Sequence, residues 1–449
     1  MTVLYAPHAL LPAGWTADVR VALDPDGRIA AVASGQPCAP GDERLQAPLL
    51  PALTNLHSHS FQRAMAGLSE TASGGGDDFW SWRRLMYRFL DRMTPDQLQA
   101  VAGQAFVEML EGGFAACAEF HYLHHGPDGT PYADSAEMSG RICEAARQSS
   151  IGLTLLPVFY ARGGLDGRPL TGGQRRFGCD RAGYEGLIAA IGPHLQGAGL
   201  GVAPHSLRAA SPEDVAWAAE LLPDAPVHIH VAEQRAEVDA VQAALGRRPV
   251  ETLLDLGADP RWCLIHATHM SDAETAALAA CGAVAGLCPV TEANLGDGVF
   301  PAASYVAQGG RFGVGSDANT CIDAAGELRL LEYGQRLTRQ ARAVLAPSGS
   351  VATALWQAAT AGGAQAAARD SGMIAPGHRA DLLTLGPAPG VAPLPAAARL
   401  DHAVFAAPRL PLDQLWVGGT LAVEGGVALA RDRLRPAFET AMAALVATI

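Results

Sequence analysis

Between residues 49 and 373 eight short apolar runs alternate with helix-forming stretches, and nothing else in the chain constrains its fold as strongly. The first run ends at His57-Ser58-His59. The next seven are Ala115 to His121, Gly152 to Val158, Gly199 to His205, Pro226 to Val231, Trp262 to His266, Ala283 to Cys288 and Arg311 to Asp317. Helix starts stand between them. Thr94-Pro95-Asp96-Gln97, Ser211-Pro212-Glu213-Asp214 and Ser271-Asp272-Ala273-Glu274 each offer a hydroxyl cap and an acid or amide within the first turn. Runs this uniformly apolar predict parallel strands covered on both faces. Eight of them predict a (β/α)8 TIM-type barrel, whose active site lies where the strands end. A doubly wound sheet is the alternative, but no glycine-rich phosphate loop follows any run.

Both ends of the chain read differently. Val19 to Leu23, the turn Asp24-Pro25-Asp26-Gly27 and Arg28 to Val32 predict a hairpin. Gly377 to Leu385 and Leu415 to Thr420 have the same β character. The expected organisation is a small β-sandwich domain built from both termini (residues 1–48 and 374–434), a barrel over 49–373 and a closing helix over 435–449. Gly386 to Ala398, rich in proline and alanine, reads as a surface loop. Ser73-Gly74-Gly75-Gly76-Asp77-Asp78 reads as a flexible loop, and the aromatic and basic stretch Phe79 to Arg88 as its continuation.

Composition narrows the function. The formal net charge of −13 speaks against a nucleic-acid surface, and no apolar run reaches the length of a membrane span. The eight cysteines are scattered without a CxxC pair, as in a reduced cytoplasmic protein. All 32 basic residues are arginines, so no step can depend on a lysine.

The polar residues at the strand ends carry the chemistry. His57 and His59 share one face of a strand end, and His230, His266 and Asp317 close three later runs. Glu233 follows His230 by three residues. Imidazoles with a carboxylate suit one divalent metal ion, Zn2+ foremost, with Fe2+ or Mn2+ as alternatives. Such an ion makes hydroxide available near neutral pH, and a neighbouring carboxylate can carry the water's proton to a leaving nitrogen. His228 lies on the same strand face as His230, and spacing alone does not choose between them.

His57-Ser58-His59, His230-Val231-Ala232-Glu233, His266 and Ser316-Asp317 together resemble the amidohydrolase superfamily, over essentially the whole chain. The resemblance implies His57, His59, His230 and Asp317 as metal ligands, Ala232-Glu233 selecting His230 over His228. It implies Glu233 as proton shuttle, with His266 and Asp317 steadying water and substrate. The two-metal branch of the superfamily uses a carboxylated lysine near the fourth strand. This chain has Pro204-His205 there, which points to the one-metal deaminases.

Four stretches resemble the formimidoylglutamate deiminase family more closely. They are Asn55 to Gly67, Phe79-Trp80-Ser81-Trp82-Arg83, Ala118 to His125 and Pro204-His205-Ser206-Leu207-Arg208. That family hydrolyses N-formimino-L-glutamate to N-formyl-L-glutamate and ammonia in histidine degradation. A small dicarboxylate amidine substrate is implied, held by Gln62, Arg83, Tyr122, His205 and Arg208, in a cytoplasmic homodimer. Two carboxylates call for arginines, which bind them bidentately.

Other readings stay open on sequence. The chain could be another one-metal deaminase acting on a guanine, cytosine or adenosine derivative, a guanidino- or carbamoyl-acid hydrolase, or a binding protein without activity. Glu233 could be a helix-start acid and His266 a core histidine. Arg208 could pair with Glu213, and Tyr122 and His205 could stand one layer behind the substrate.

Overall fold

The computed structural model describes residues 2–70 and 79–447, with backbone alone over 79–84. The expected loop at 73–78 and the side chains of Arg83, Trp80 and Trp82 lie outside the described residues.

The barrel strands are Leu53–Ser58, Phe114–His121, Gly152–Phe159, the pair Gly199–Leu200 and Ala203–Pro204, Val227–Val231, Trp262–His266, Val284–Leu287 and Arg311–Val314. Neighbours pair in parallel in chain order. The fourth strand is split, a single run in the sequence but two short ladders in space. Gly201 sits at the break, where a Cβ would meet Pro226 O at 2.7 Å and the Leu156 side chain at 2.6 Å. Bridges from Val202 to Val227 and from Ser206 to His230 carry the sheet across to the fifth strand. The circle closes through a Ser58–Asp317 bridge between the first and last strands. A close approach makes this closure possible: a Cβ on Gly315 would lie 2.6 Å from His57 O and 2.7 Å from His57 N.

Three helices begin where the sequence places them. Thr94, Ser211 and Ser271 each form a reciprocal capping box, so that the cap hydroxyl and the N3 side chain satisfy one another's orphan backbone donors. Phe79 to Arg88, expected as loop, belongs to a helix over Phe79–Leu90. The stretch holds no glycine or proline, and Met86, Phe89 and Leu90 are buried at helical spacing.

Helix Val351–Ala366 forms the floor of the barrel. A Cβ on Gly362 would clash with Phe312 O at 1.9 Å, and one on Gly363 would lie 2.8 Å from Thr54 O. At the helix end, Gln365 Nε2 donates to Pro260 O and Gly282 O, just ahead of the sixth and seventh strands. Ala366 O accepts from His228 at 2.7 Å, and Ala367 O accepts from Thr154 Oγ1 at 2.8 Å.

The chain ends meet in one mixed sheet. Its order is 427–428, 420–424, 412–417, 382–385, 49–51, 2–11, 14–23 and 29–33, with 43–44 pairing with 2–11. The predicted hairpin pairs Val21 with Val32. Leu4, Val21, Leu49 and Trp416 of this sheet form a core of their own, while Leu50, Leu383, Leu415 and Val423 of the same sheet join the core of the barrel. Part of the stretch expected as surface loop turns helical, at Ala396–Phe405, and the last helix, Arg431–Val446, begins ahead of residue 435. Among the described residues no helix is long and apolar enough to cross a membrane, and the eight cysteines are unpaired.

Candidate metal centre and active site

Four ligand atoms converge at the carboxyl ends of the strands. One each from His57, His59, His230 and Asp317 lie within 4.8 Å of one another, and all four residues are buried. His57 Nε2 and His59 Nε2 stand 3.4 and 3.3 Å from Asp317 Oδ1. His230 Nε2 stands 3.1 Å from His57 Nε2. The outer nitrogens fix the tautomers. Nδ1 of His59 donates to Phe120 O at 2.9 Å and Nδ1 of His230 to His205 O at 3.1 Å, which leaves each Nε2 lone pair facing inward. Burial depresses all three imidazoles, His57 to about 3. Burial alone would raise Asp317, but its bonds and charge interactions with the histidines hold it well below the usual carboxylate range. Neutral imidazoles facing an ionised carboxylate are the protonation states a divalent cation needs. The donor set therefore fits one metal ion.

His228, the alternative on the same strand face, bonds to Ala366 O at the floor instead. A second cluster of His266, Cys288 and Asp317 shares the aspartate. It offers three donors against the four of the first group.

Backbone strain marks the same places. Ala232, His266, Ala267 and Asp317 are non-glycine residues with φ of +51°, +67°, +48° and +44°. Each sits where a strand turns into its loop, a conformation that costs free energy unless its surroundings impose it.

Glu233 emerges from the strained turn after the fifth strand. Its Oε1 lies 3.9 Å from His266 Nε2, and its Oε2 lies 3.6 Å from Arg208 Nη2. His266 Nε2 is also 3.9 Å from Asp317 Oδ2, and its Nδ1 faces Glu292 Oε1 at 3.3 Å. Burial alone would lower His266. Glu233, the bond to Glu292 and Asp317 together outweigh it and raise the ring to about 10.

Of the residues singled out in the sequence, Gln62, Tyr122, His205, Arg208, Glu233 and His266 line one cleft beside the ligands. Gln62 Nε2 donates to the Tyr122 hydroxyl at 2.8 Å, and its Oε1 is buried without a partner, as is Arg208 Nε. Arg208 pairs with Glu233 rather than with Glu213. His269 turns away, bonding to Asp297 O.

Three buried acids escape sequence reading. Glu237 accepts the Glu233 backbone N–H at 3.2 Å, Glu292 orients His266, and Asp297 bonds to Gln234, the residue after Glu233. Burial, then the charge of Glu233, pushes Asp297 up to about 9. Glu237 and Glu292 sit in first turns of helices, where acids are common for dipole reasons alone.

Residues 49–422 match the Amidohydrolase family, and residues 1–46 match the family described as Formimidoylglutamate deiminase HutF, N-terminal domain. The chain belongs to the amidohydrolase family, a class of hydrolases. It is 47 % identical to the formimidoylglutamate deiminase of Pseudomonas aeruginosa over 445 residues, 98 % of each chain, and stands with those deiminases within the family. A crystal structure of an amidohydrolase from Brucella melitensis superposes with a TM-score of 0.96 at 48 % identity, covering 99 % of this chain and 100 % of that one. The 8-oxoguanine deaminase of P. aeruginosa is 28 % identical over 89 % of each chain. A zinc-bound adenosine deaminase from Xanthomonas campestris shares the fold, with a TM-score of 0.81 at 21 % identity over 99 % of this chain and 98 % of that one.

Proposed function

We infer that this chain hydrolyses N-formimino-L-glutamate to N-formyl-L-glutamate and ammonia, a step of histidine degradation. The observation that carries the reading is Arg208. A carboxylate-binding cation stands in the cleft beside the metal set, 3.6 Å from Glu233, in a chain 47 % identical end to end to a formimidoylglutamate deiminase. A purine or pyrimidine ring offers that guanidinium no carboxylate.

His57, His59, His230 and Asp317 would hold the ion, and three imidazoles with one carboxylate favour zinc. When bound, it supplies Lewis-acid activation of water at neutral pH. The chain's own groups do the rest. Arg208 binds one substrate carboxylate, with His205, Tyr122 and Gln62 along the glutamate chain and Arg83 for the second carboxylate. The amidine carbon then faces Glu233. Glu233 takes a proton from the attacking water as the carbon–oxygen bond forms. It returns that proton to the departing nitrogen, and as the carbon–nitrogen bond breaks the same carboxylate passes the remaining hydroxyl proton on to that nitrogen, so that the formyl C=O forms and ammonia leaves. His266, oriented by Glu292, and Asp317 steady the tetrahedral carbon's oxygen. The unpaired cysteines and the absence of a membrane-spanning helix among the described residues are compatible with a cytoplasmic enzyme.

The test is ammonia release from N-formimino-L-glutamate by the zinc-loaded protein. Rapid release is expected, with Glu233→Gln losing about 10²–10⁴-fold in kcat, the range of a positioned acid–base group. Release from a guanine or adenosine derivative and none from N-formimino-L-glutamate would retain the hydrolase and sink this substrate.

A further inference from the structure

Two of the proposed ligand residues, His59 and Asp317, face each other across the seam where the barrel closes. The two strands share few bonds there. Asp317 N donates to His57 O and His59 N to Asp317 O, both at 3.0 Å. A buried side-chain network crosses the same seam, and none of its members is a metal ligand.

Asn319 is its hub. The residue is fully buried, two positions beyond Asp317, and held at φ +56°. Its Nδ2 lies 3.1 Å from His59 O, 3.0 Å from Asp317 O and 3.1 Å from Ser58 Oγ. One amide group thus touches the backbone carbonyls of two ligand residues some 260 positions apart in sequence. The opposite edge fixes its orientation, because Oδ1 accepts from Ser316 Oγ at 2.6 Å. Flipped, the amide would set its oxygen against two carbonyl oxygens. Ser316 is anchored in turn. Its Oγ accepts from Asn55 Nδ2 at 2.6 Å, and its N–H donates to Asn55 Oδ1 at 3.0 Å. Asn55 lies on the first strand and Ser316 follows the eighth, so the chain of bonds spans the seam twice.

We propose that Asn319 is a positioning residue for the metal centre, clasping the His59 and Asp317 peptides at the separation a divalent cation requires. The proposal rests on reading the three histidines and Asp317 as a metal site. Ligand groups held by a satisfied outer layer bind tighter because less ordering remains to be done, and losing such a partner typically costs 10–100-fold in metal affinity. The clasp also explains the left-handed backbone at Asp317. Asparagine tolerates that conformation itself, and its side chain holds the neighbouring residue in it.

The experiment measures zinc affinity of chelator-stripped protein by competition with a chromophoric chelator, together with the rise in thermal midpoint on adding zinc. Asn319→Ala is expected to bind zinc 10–100-fold more weakly, and its zinc-induced rise to shrink. Ser316→Ala, which frees the amide without removing it, is expected to show a smaller loss in the same direction. A merely structural role would lower the midpoints with and without zinc equally and leave the affinity unchanged; that result overturns the proposal. Should Asn319→Ala fail to fold, an unchanged affinity in folded Ser316→Ala overturns it alone. Failure of the parent to bind one zinc, or equal binding by His57→Ala, would instead sink the metal reading beneath it.

Discussion

Arg208 is the residue whose replacement tests the carboxylate reading of the substrate. It lies 3.6 Å from Glu233 and touches none of the four ligands at ion-pair distance among the described contacts. Arg208→Ala is expected to raise KM for N-formimino-L-glutamate by about tenfold to a hundredfold. That range corresponds to the roughly 1.5–3 kcal/mol of a hydrogen bond to a charged group. Steady-state kinetics across substrate concentration checks it, and an unchanged KM would remove Arg208 from the carboxylate site. Such residues were legible because they cluster in sequence with strand ends: His57 with His59, His205 with Arg208, His230 with Glu233. Asn319, Glu237, Glu292 and Asp297 were not. Their residue types are those of ordinary loops and helix starts, and only burial distinguishes them. The positive φ of Ala232, His266 and Asp317 was equally hidden, since no residue there is a glycine.

Among the elements, eight strand runs were readable because apolar residues continue through both faces, and three helix starts because their caps are chemically explicit. What the pattern could not show is how elements approach one another. The fourth run looks continuous, yet it breaks at Gly201, where Leu156 and Pro226 leave no room for a side chain. Helix Phe79–Leu90 was mistaken for loop because arginines and tryptophans outweighed its buried stripe. The floor helix shows the same dependence on contact. A methyl group at Gly362 would overlap Phe312 O, so Gly362→Ala must lift the helix from the eighth strand or shift that strand. A loss of about 1–3 kcal/mol is expected, the usual cost of overpacking a core. The urea midpoint of the variant against the parent measures it, and equal midpoints would mean that the floor is looser than this contact implies.

For the whole molecule, the balance of buried titratable groups sets how stability varies with pH. His124 is 2 % exposed, its Nε2 bonds to Val158 O at 2.9 Å, and burial lowers its ring to about 4. The unfolded chain binds that proton near pH 6.5 and the folded protein does not. This contribution is therefore complete above pH 6.5 and declines as pH falls toward 4, by about 1.4 kcal/mol per unit. Glu119 acts in the opposite sense: burial raises it to about 7, so it favours the folded state at low pH and loses that effect as pH rises from the ordinary glutamate value. Total stability mixes both, and only a difference isolates the histidine. Gln at position 124 keeps a donor for Val158 O without titrating. His124→Gln is expected to gain on the parent by roughly 2 kcal/mol between pH 7 and pH 5. Urea unfolding of both proteins at the two pH values checks the sign and the size. A difference that stays constant with pH would mean that the His124 ring takes up its proton in the folded protein as readily as in the unfolded chain.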